Sequence, residues 1–168
     1  DAVVAEMNNL GYSFEREFLA RLTPQAREGT LFLLTADHGQ IDTPSAHTIY
    51  MKDHPGLREH LVMAYAGEPR AAYLYIRNGE IDAVREYFSS RLADKFFVID
   101  SQVALEAGLF GSGNIAAEAK YRIGDLLVLP RADWIIYDHA DAPKTLGRHG
   151  GLTEPEMLVP LITARLDG

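Results

Sequence analysis

Leu31-Phe32-Leu33-Leu34-Thr35-Ala36 runs apolar almost without a break into Asp37, His38 and Gly39. A run that is apolar at nearly every position, rather than at alternate ones, predicts a strand buried on both faces. That reads as a parallel strand of an open α/β sheet, whose carboxyl end is where such sheets hold ligands. An acid and an imidazole placed there are candidate metal ligands. Adjacent residues on an extended strand face opposite ways, but a turn permitted by Gly39 brings both side chains to one side. The competing reading is a buried aspartate that caps a following helix, beside a structural histidine.

A second stretch, Gly147-Arg148-His149-Gly150-Gly151, precedes the apolar segment Leu158 to Ala164. Glycines around a lone histidine let the backbone approach another group closely, although an ordinary glycine-rich turn has the same composition. Thr153-Glu154-Pro155-Glu156 has the spacing of a capping box, with Thr153 as cap and Glu156 at the third helical position. A helical turn is therefore predicted directly after His149, where it steadies that loop. Two such motifs, each tied to an apolar strand, point together to a hydrolase metal centre of which this chain holds part.

Elsewhere, Val4, Met7, Leu10, Phe14, Phe18 and Leu22 recur at helical spacing, which predicts an amphipathic helix over residues 2–22 with Asp1 as its cap. From residue 66 to 123 the pattern changes, with Ala72, Leu74 and Ile76 alternating with Tyr73, Tyr75 and Arg77. Asn78-Gly79 then turns the chain, and Ile81, Val84, Phe88 and Leu92 carry a helix towards a strand at Phe96 to Ile99. This β-α-β unit, with one face expected in water, reads as an inserted α+β cap. The organisation expected is α/β: residues 1–65 as the first part of a core, 66–123 as the cap, and 124–168 as the second part of the core. Leu126 to Leu129 and Trp134 to Tyr137 resume the apolar strands there.

At 168 residues and 47% hydrophobic content, the chain can bury the core of one domain with a small insertion. Its net charge of -8 argues against a nucleic acid polymer as partner, since phosphate backbones need clustered lysine and arginine. A small anion held through a metal is compatible with that charge. Without cysteine there is no disulfide and no thiolate zinc site, so any metal must be bound by imidazole and carboxylate, a donor set of catalytic rather than structural zinc. No apolar run reaches the length of a membrane span, and no signal-peptide pattern opens the chain. The sequence begins at Asp1 inside a helical pattern and without an initiator methionine, so a preceding segment is expected.

Thr35-Ala36-Asp37-His38-Gly39, followed at a distance by His149-Gly150-Gly151-Leu152-Thr153-Glu154-Pro155-Glu156-Met157-Leu158-Val159-Pro160-Leu161, resembles the carboxy-terminal half of a type I phosphodiesterase/nucleotide pyrophosphatase, a branch of the alkaline phosphatase superfamily. The resemblance extends through Arg122-Ile123-Gly124-Asp125. It implies a partial alkaline-phosphatase-like α/β/α core and a site of two divalent metal ions, zinc or alternatively manganese, over a serine or threonine nucleophile. It assigns Asp37 and His38 to the metal that activates the nucleophile and His149 to the other. The family's remaining ligands and its nucleophile find no matching position, which implies a fragment that is inactive alone. The substrate implied is a small phosphate ester or nucleotide. Loss of the first strands of the sheet would leave an apolar face or edge exposed and favour self-association.

Further residues have two readings each. Asp138, His139 and Asp141 follow a predicted strand and either orient a ligand histidine or form a solvated polar loop. His47 either meets substrate or is a surface histidine, and Lys144 and Arg148 either attract phosphate or are ordinary exposed cations. His54 and His60 are expected in solvent. Tyr73, Tyr75 and Tyr87 line an aromatic face of the cap or pack within it. Alternative functions are a phosphonate hydrolase, a phosphomonoesterase or a phosphoglycerate mutase of the same superfamily, or a binding module without catalysis.

Overall fold

The computed structural model describes residues 1–138 and 145–167. In chain order its helices are α1 (Ala2–Glu17), α2 (Pro24–Arg27), α3 (Pro55–Arg58), α4 (Ile81–Arg91), α5 (Ser101–Glu106), α6 (Ala119–Arg122) and α7 (Glu154–Met157). The strands are β1 (Leu31–Thr35), β2 (Ile41–Asp42), β3 (Thr48–Tyr50), β4 (Ala66–Glu68), β5 (Ala71–Leu74), β6 (Phe96–Asp100), β7 (Leu126–Pro130), β8 (Ile135–Tyr137), β9 (Gly147–Arg148) and β10 (Leu161–Arg165). They fall into two units, Asp1–Ala36 with Pro160–Gly168, and Asp37–Val159.

In the first unit Asp1 caps α1 through the Val3 amide at 3.1 Å, as the sequence predicts. The helix ends at Glu17 and passes into a 3-10 turn at Leu19–Arg21, short of the expected residue 22. An apolar stripe at intervals of three and four residues suits both helix types, so it does not mark where the winding tightens. Phe14 stacks on Phe18 at 5.3 Å and leans on Phe32 of β1 at 4.9 Å.

The expectation of a buried parallel strand at β1 is overturned. β1 pairs antiparallel with β10, Leu31 opposite Arg165 and Thr35 opposite Leu161. Leu31, Leu33 and Leu34 are 57%, 58% and 48% exposed. A continuous apolar run records that both faces of a strand are made for cover, but not the direction of its neighbour or whether the same chain brings the cover. Val3, Val4, Met7 and Leu10 of α1 and Leu161 and Ile162 of β10 are likewise exposed.

In the second unit a four-stranded antiparallel sheet runs in the order β4-β5-β7-β6. β5, α4 and β6 form the expected β-α-β unit, but β7 lies between its two strands rather than resuming a separate core. Every residue of β7 is buried, in keeping with its unbroken apolar sequence. One face, with Ala72, Leu74, Val128 and Phe96, packs on Val84 and Phe88 of α4 and on Leu57 and Met51. The other face was expected in water; instead Leu127 and Leu129 of β7 meet Ala104 of α5, with Tyr73 and Ile99 alongside. A central strand that is apolar at every position demands cover on both sides, and the helix after β6 provides it. β3 and β8 form a short parallel pair, and β2 pairs antiparallel with β9. Among the described residues no helix is long and apolar enough to cross a membrane.

Candidate functional site

Asp37 follows β1 by two positions, and its Oδ1 accepts a hydrogen bond from the His38 amide at 3.1 Å. The His38 imidazole turns back on its own loop, with Nδ1 2.8 Å from the Gly39 carbonyl. A carbonyl only accepts, so in this contact Nδ1 is the donor, which leaves Nε2 as the ring nitrogen that a metal could engage. Nε2 lies 3.7 Å from Asp37 Oδ2, and the Asp37 side chain is 88% exposed.

His149 comes to the same place from the far end of the unit. Its ring stacks on that of His38 with centroids 3.6 Å apart and planes 14° apart. The β2–β9 ladder holds this juxtaposition on one side, pairing Ile41 with Arg148 and Asp42 with Gly147. On the other side Gly39 donates to the Glu156 carbonyl at 2.9 Å.

Gly39 is needed for close approach. A Cβ there would sit 1.9 Å from the carbonyl oxygen of Pro155, a backbone atom that no rotamer change can move away. The sequence reading credited this glycine with freedom to turn; the structure gives it a different task. Gly39→Ala is expected to cost towards the upper end of about 1–3 kcal/mol, as overpacking does, read as a lower denaturation midpoint. Gly150 does adopt a left-handed conformation, φ +105°, and Gly151 faces a buried ion pair that leaves no room for a side chain, with Arg70 Nη2 2.8 Å and Glu156 Oε2 2.7 Å from where a Cβ would stand.

That ion pair is the part of the site the sequence reading missed. Arg70, in the turn between β4 and β5, and Glu156, in α7, have side chains 0% and 1% exposed. Nη2 of Arg70 donates to Oε2 of Glu156 at 2.7 Å and to the Ala132 carbonyl at 2.8 Å, Nη1 donates to the Trp134 carbonyl at 2.8 Å, and Nε donates to Glu156 Oε1. Glu156 also completes the predicted capping box with Thr153 and accepts from the Gly151 amide at 2.9 Å. Burial pushes its carboxyl up, but the hydrogen bonds from Arg70, Thr153 and Gly151 outweigh that and hold it below the ordinary range. The available signal was a lone arginine between apolar strands, paired in type with a glutamate that one capping box did not use up.

The other candidates lie apart in their contacts. His47 binds Asp133 through Nδ1 at 2.6 Å and stacks on Trp134. Arg148, half-buried in β9, donates to Thr145 and, with Asp138, lines a 520 Å³ depression that also includes Tyr65, Glu68 and Tyr137. His139, Asp141 and Lys144 lie outside the described residues. His54 and His60, expected in solvent, have partners at 2.8 Å, the Tyr87 hydroxyl and Glu80 respectively. Two imidazoles and an exposed carboxylate are suitable donors for zinc or manganese. Among the described residues, however, no group of three or more such side chains is arranged to hold one ion.

The model of the family described as type I phosphodiesterase / nucleotide pyrophosphatase matches residues 16–152. No curated protein matches the sequence. Among solved structures, human ectonucleotide pyrophosphatase/phosphodiesterase 5 superposes with a TM-score of 0.66 at 17% identity, covering 96% of this chain and 40% of that one. An inactive form of the murine protein in complex with AMP gives 0.63 at 17% identity over 95% of this chain and 40% of that one. Phosphonoacetate hydrolase from Sinorhizobium meliloti 1021, in complex with phosphonoformate, gives 0.54 at 22% identity over 80% and 36%. The chain thus spans about 40% of the length of the first of these structures. The likeness is one of fold, and it establishes the α/β, alkaline-phosphatase-like class expected from the sequence.

Proposed function

Since this chain belongs to the type I phosphodiesterase/nucleotide pyrophosphatase family, we propose that it supplies one part of a two-metal site that hydrolyses phosphodiester or nucleotide pyrophosphate bonds. The observation that carries the reading is the stacking of His38 on His149 at 3.6 Å, with Asp37 beside them, from motifs at opposite ends of the second unit. Asp37 and His38 would hold one divalent ion and His149 the other, with zinc or manganese as the metal. Such ions, when bound, lower the pKa of the attacking group and offset charge on the phosphoryl oxygens. The chain's own contribution is to turn Nδ1 of His38 onto the Gly39 carbonyl, leaving Nε2 for the metal, and to keep the Asp37 carboxylate open to solvent. Arg148, next in sequence to His149, would attract the phosphate, and the segment at 66–123, whose sheet also takes in β7, would be the cap that shapes access for a small nucleotide or phosphate ester.

On this reading the serine or threonine nucleophile is supplied from outside these 168 residues, and the chain alone is expected to be inactive. The complete protein is expected to hydrolyse bis(4-nitrophenyl) phosphate with zinc or manganese present, and to lose that turnover on chelation and regain it on metal return. Turnover that survives chelation defeats the two-metal reading.

A further inference from the structure

We propose that the buried Arg70–Glu156 pair is a positioning device: it ties the β4–β5 turn to both histidine-bearing loops and fixes the imidazole of His149 against that of His38. This rests on the two-metal reading for its purpose, though not for its geometry.

Glu156 reaches both loops at once. Its carbonyl accepts from Gly39, the residue after His38, at 2.9 Å, and its carboxylate accepts from Gly151, two residues after His149, at 2.9 Å. The same carboxylate is gripped by the guanidinium of Arg70, whose planar fork fixes direction as well as distance. Arg70 is fixed in turn by the Ala132 and Trp134 carbonyls, while the Pro69 carbonyl accepts from the Ile136 amide at 2.9 Å. Ala132, with φ +47°, is the one non-glycine residue with positive φ among the described residues, and its carbonyl is one that Arg70 holds. Gly150 meets the turn end of the same hairpin, where a Cβ would stand 3.2 Å from Glu68 Cβ.

Turns normally lie on the surface and take residues that suit water, yet this one carries a fully buried arginine. For stability alone a buried ion pair has little advantage over apolar side chains of similar volume, so what distinguishes it is fixed geometry. The rings of His38 and His149 lie between two ties, the β2–β9 ladder and Glu156. The second of these is joined through Arg70 to the β4–β5 hairpin, so the pair makes the sheet's position and the spacing of the two imidazoles interdependent.

The test uses Arg70→Lys, which keeps the charge but loses the fork, and Glu156→Gln, which keeps the shape but loses the charge. Histidine ring signals of the chain are followed by NMR together with melting temperature. The expected result is loss of the His38–His149 inter-ring Overhauser contact and of their mutual ring-current shifts, with the signals of His54 and His60 unchanged. Unchanged His38 and His149 signals in a variant that melts earlier would overturn the proposal, since the pair would then only stabilise. Movement of His54 and His60 together with His38 and His149 would overturn it as well. Should a single variant fail to fold, R70M/E156M removes both charges together and is read by the same criteria. A separate zinc titration of the unsubstituted chain tests the reading beneath: no perturbation of the His38 and His149 signals would count against the metal site while leaving the positioning result intact. If zinc does bind, R70K is expected to weaken it by about 10–100-fold, the usual effect of removing an outer support of a metal ligand.

Discussion

Truncation of Arg70 to alanine is expected to destabilise the protein by about 3–5 kcal/mol, the usual result of removing one partner from a buried pair. The loss of contact is the smaller part. Glu156, with its side chain 1% exposed, would be left as a carboxylate with no cation and only neutral donors around it. The double variant R70M/E156M is expected to recover most of that loss, because it removes the uncompensated charge together with its partner. Urea unfolding midpoints of the three proteins check the order. The pH dependence adds a second reading. Glu156 is held below its ordinary value of 4.5 in the folded protein. Its contribution is therefore fully present above that ordinary value and is lost as pH falls through the lower, folded one. In Arg70→Ala, burial is no longer outweighed by the arginine, so the carboxyl rises and the variant should lose this acid-sensitive share of its stability. An Arg70→Ala protein with the parental midpoint and the parental acid profile would show that the carboxylate reaches water.

The candidate site was legible in the sequence to the extent that its residues are marked locally. Asp37-His38-Gly39 and His149-Gly150-Gly151 announce themselves by residue type, and the Thr153–Glu156 capping box by spacing, and the structure brings the two histidines face to face. The Arg70–Glu156 pair was not legible because its partners are far apart in sequence and neither stands in a periodic pattern. A glutamate that satisfies a capping box appears fully explained, although its second oxygen and its carbonyl are still free to bind elsewhere. The fold divides in the same way. Alternation found β5 and helical spacing found α4, both local properties. Neighbour order is not local: β7 reads as a core strand by composition but inserts between β5 and β6, and β1 takes an antiparallel partner from the far end of the chain. Both strands are apolar at nearly every position, which reports the demand for burial on two faces and nothing about direction.

In the complete protein, Asp37→Asn and His149→Ala are expected to reduce phosphodiester turnover by well over the ~10–100-fold that follows loss of a mere outer support of a metal ligand. Each removes a proposed donor outright. The two changes are informative for different reasons. The Asp37 side chain is 88% exposed, and its amide analogue keeps the same shape, so the substitution should fall within the ~0.5 kcal/mol typical of surface changes and a lost activity cannot be laid to unfolding. Its neutral oxygen remains able to accept from the His38 amide, so the loop keeps its form while losing the negative charge that a divalent ion would seek. His149→Ala removes a ring whose face lies 3.6 Å from His38, and it should therefore disturb the His38 signals as well as the metal content. Metal content measured alongside turnover separates the cases. Normal metal and near-parental turnover in either variant would remove that residue from the ligand set, whereas lost metal with an unchanged melting profile of the metal-free protein is the outcome the stacked geometry predicts.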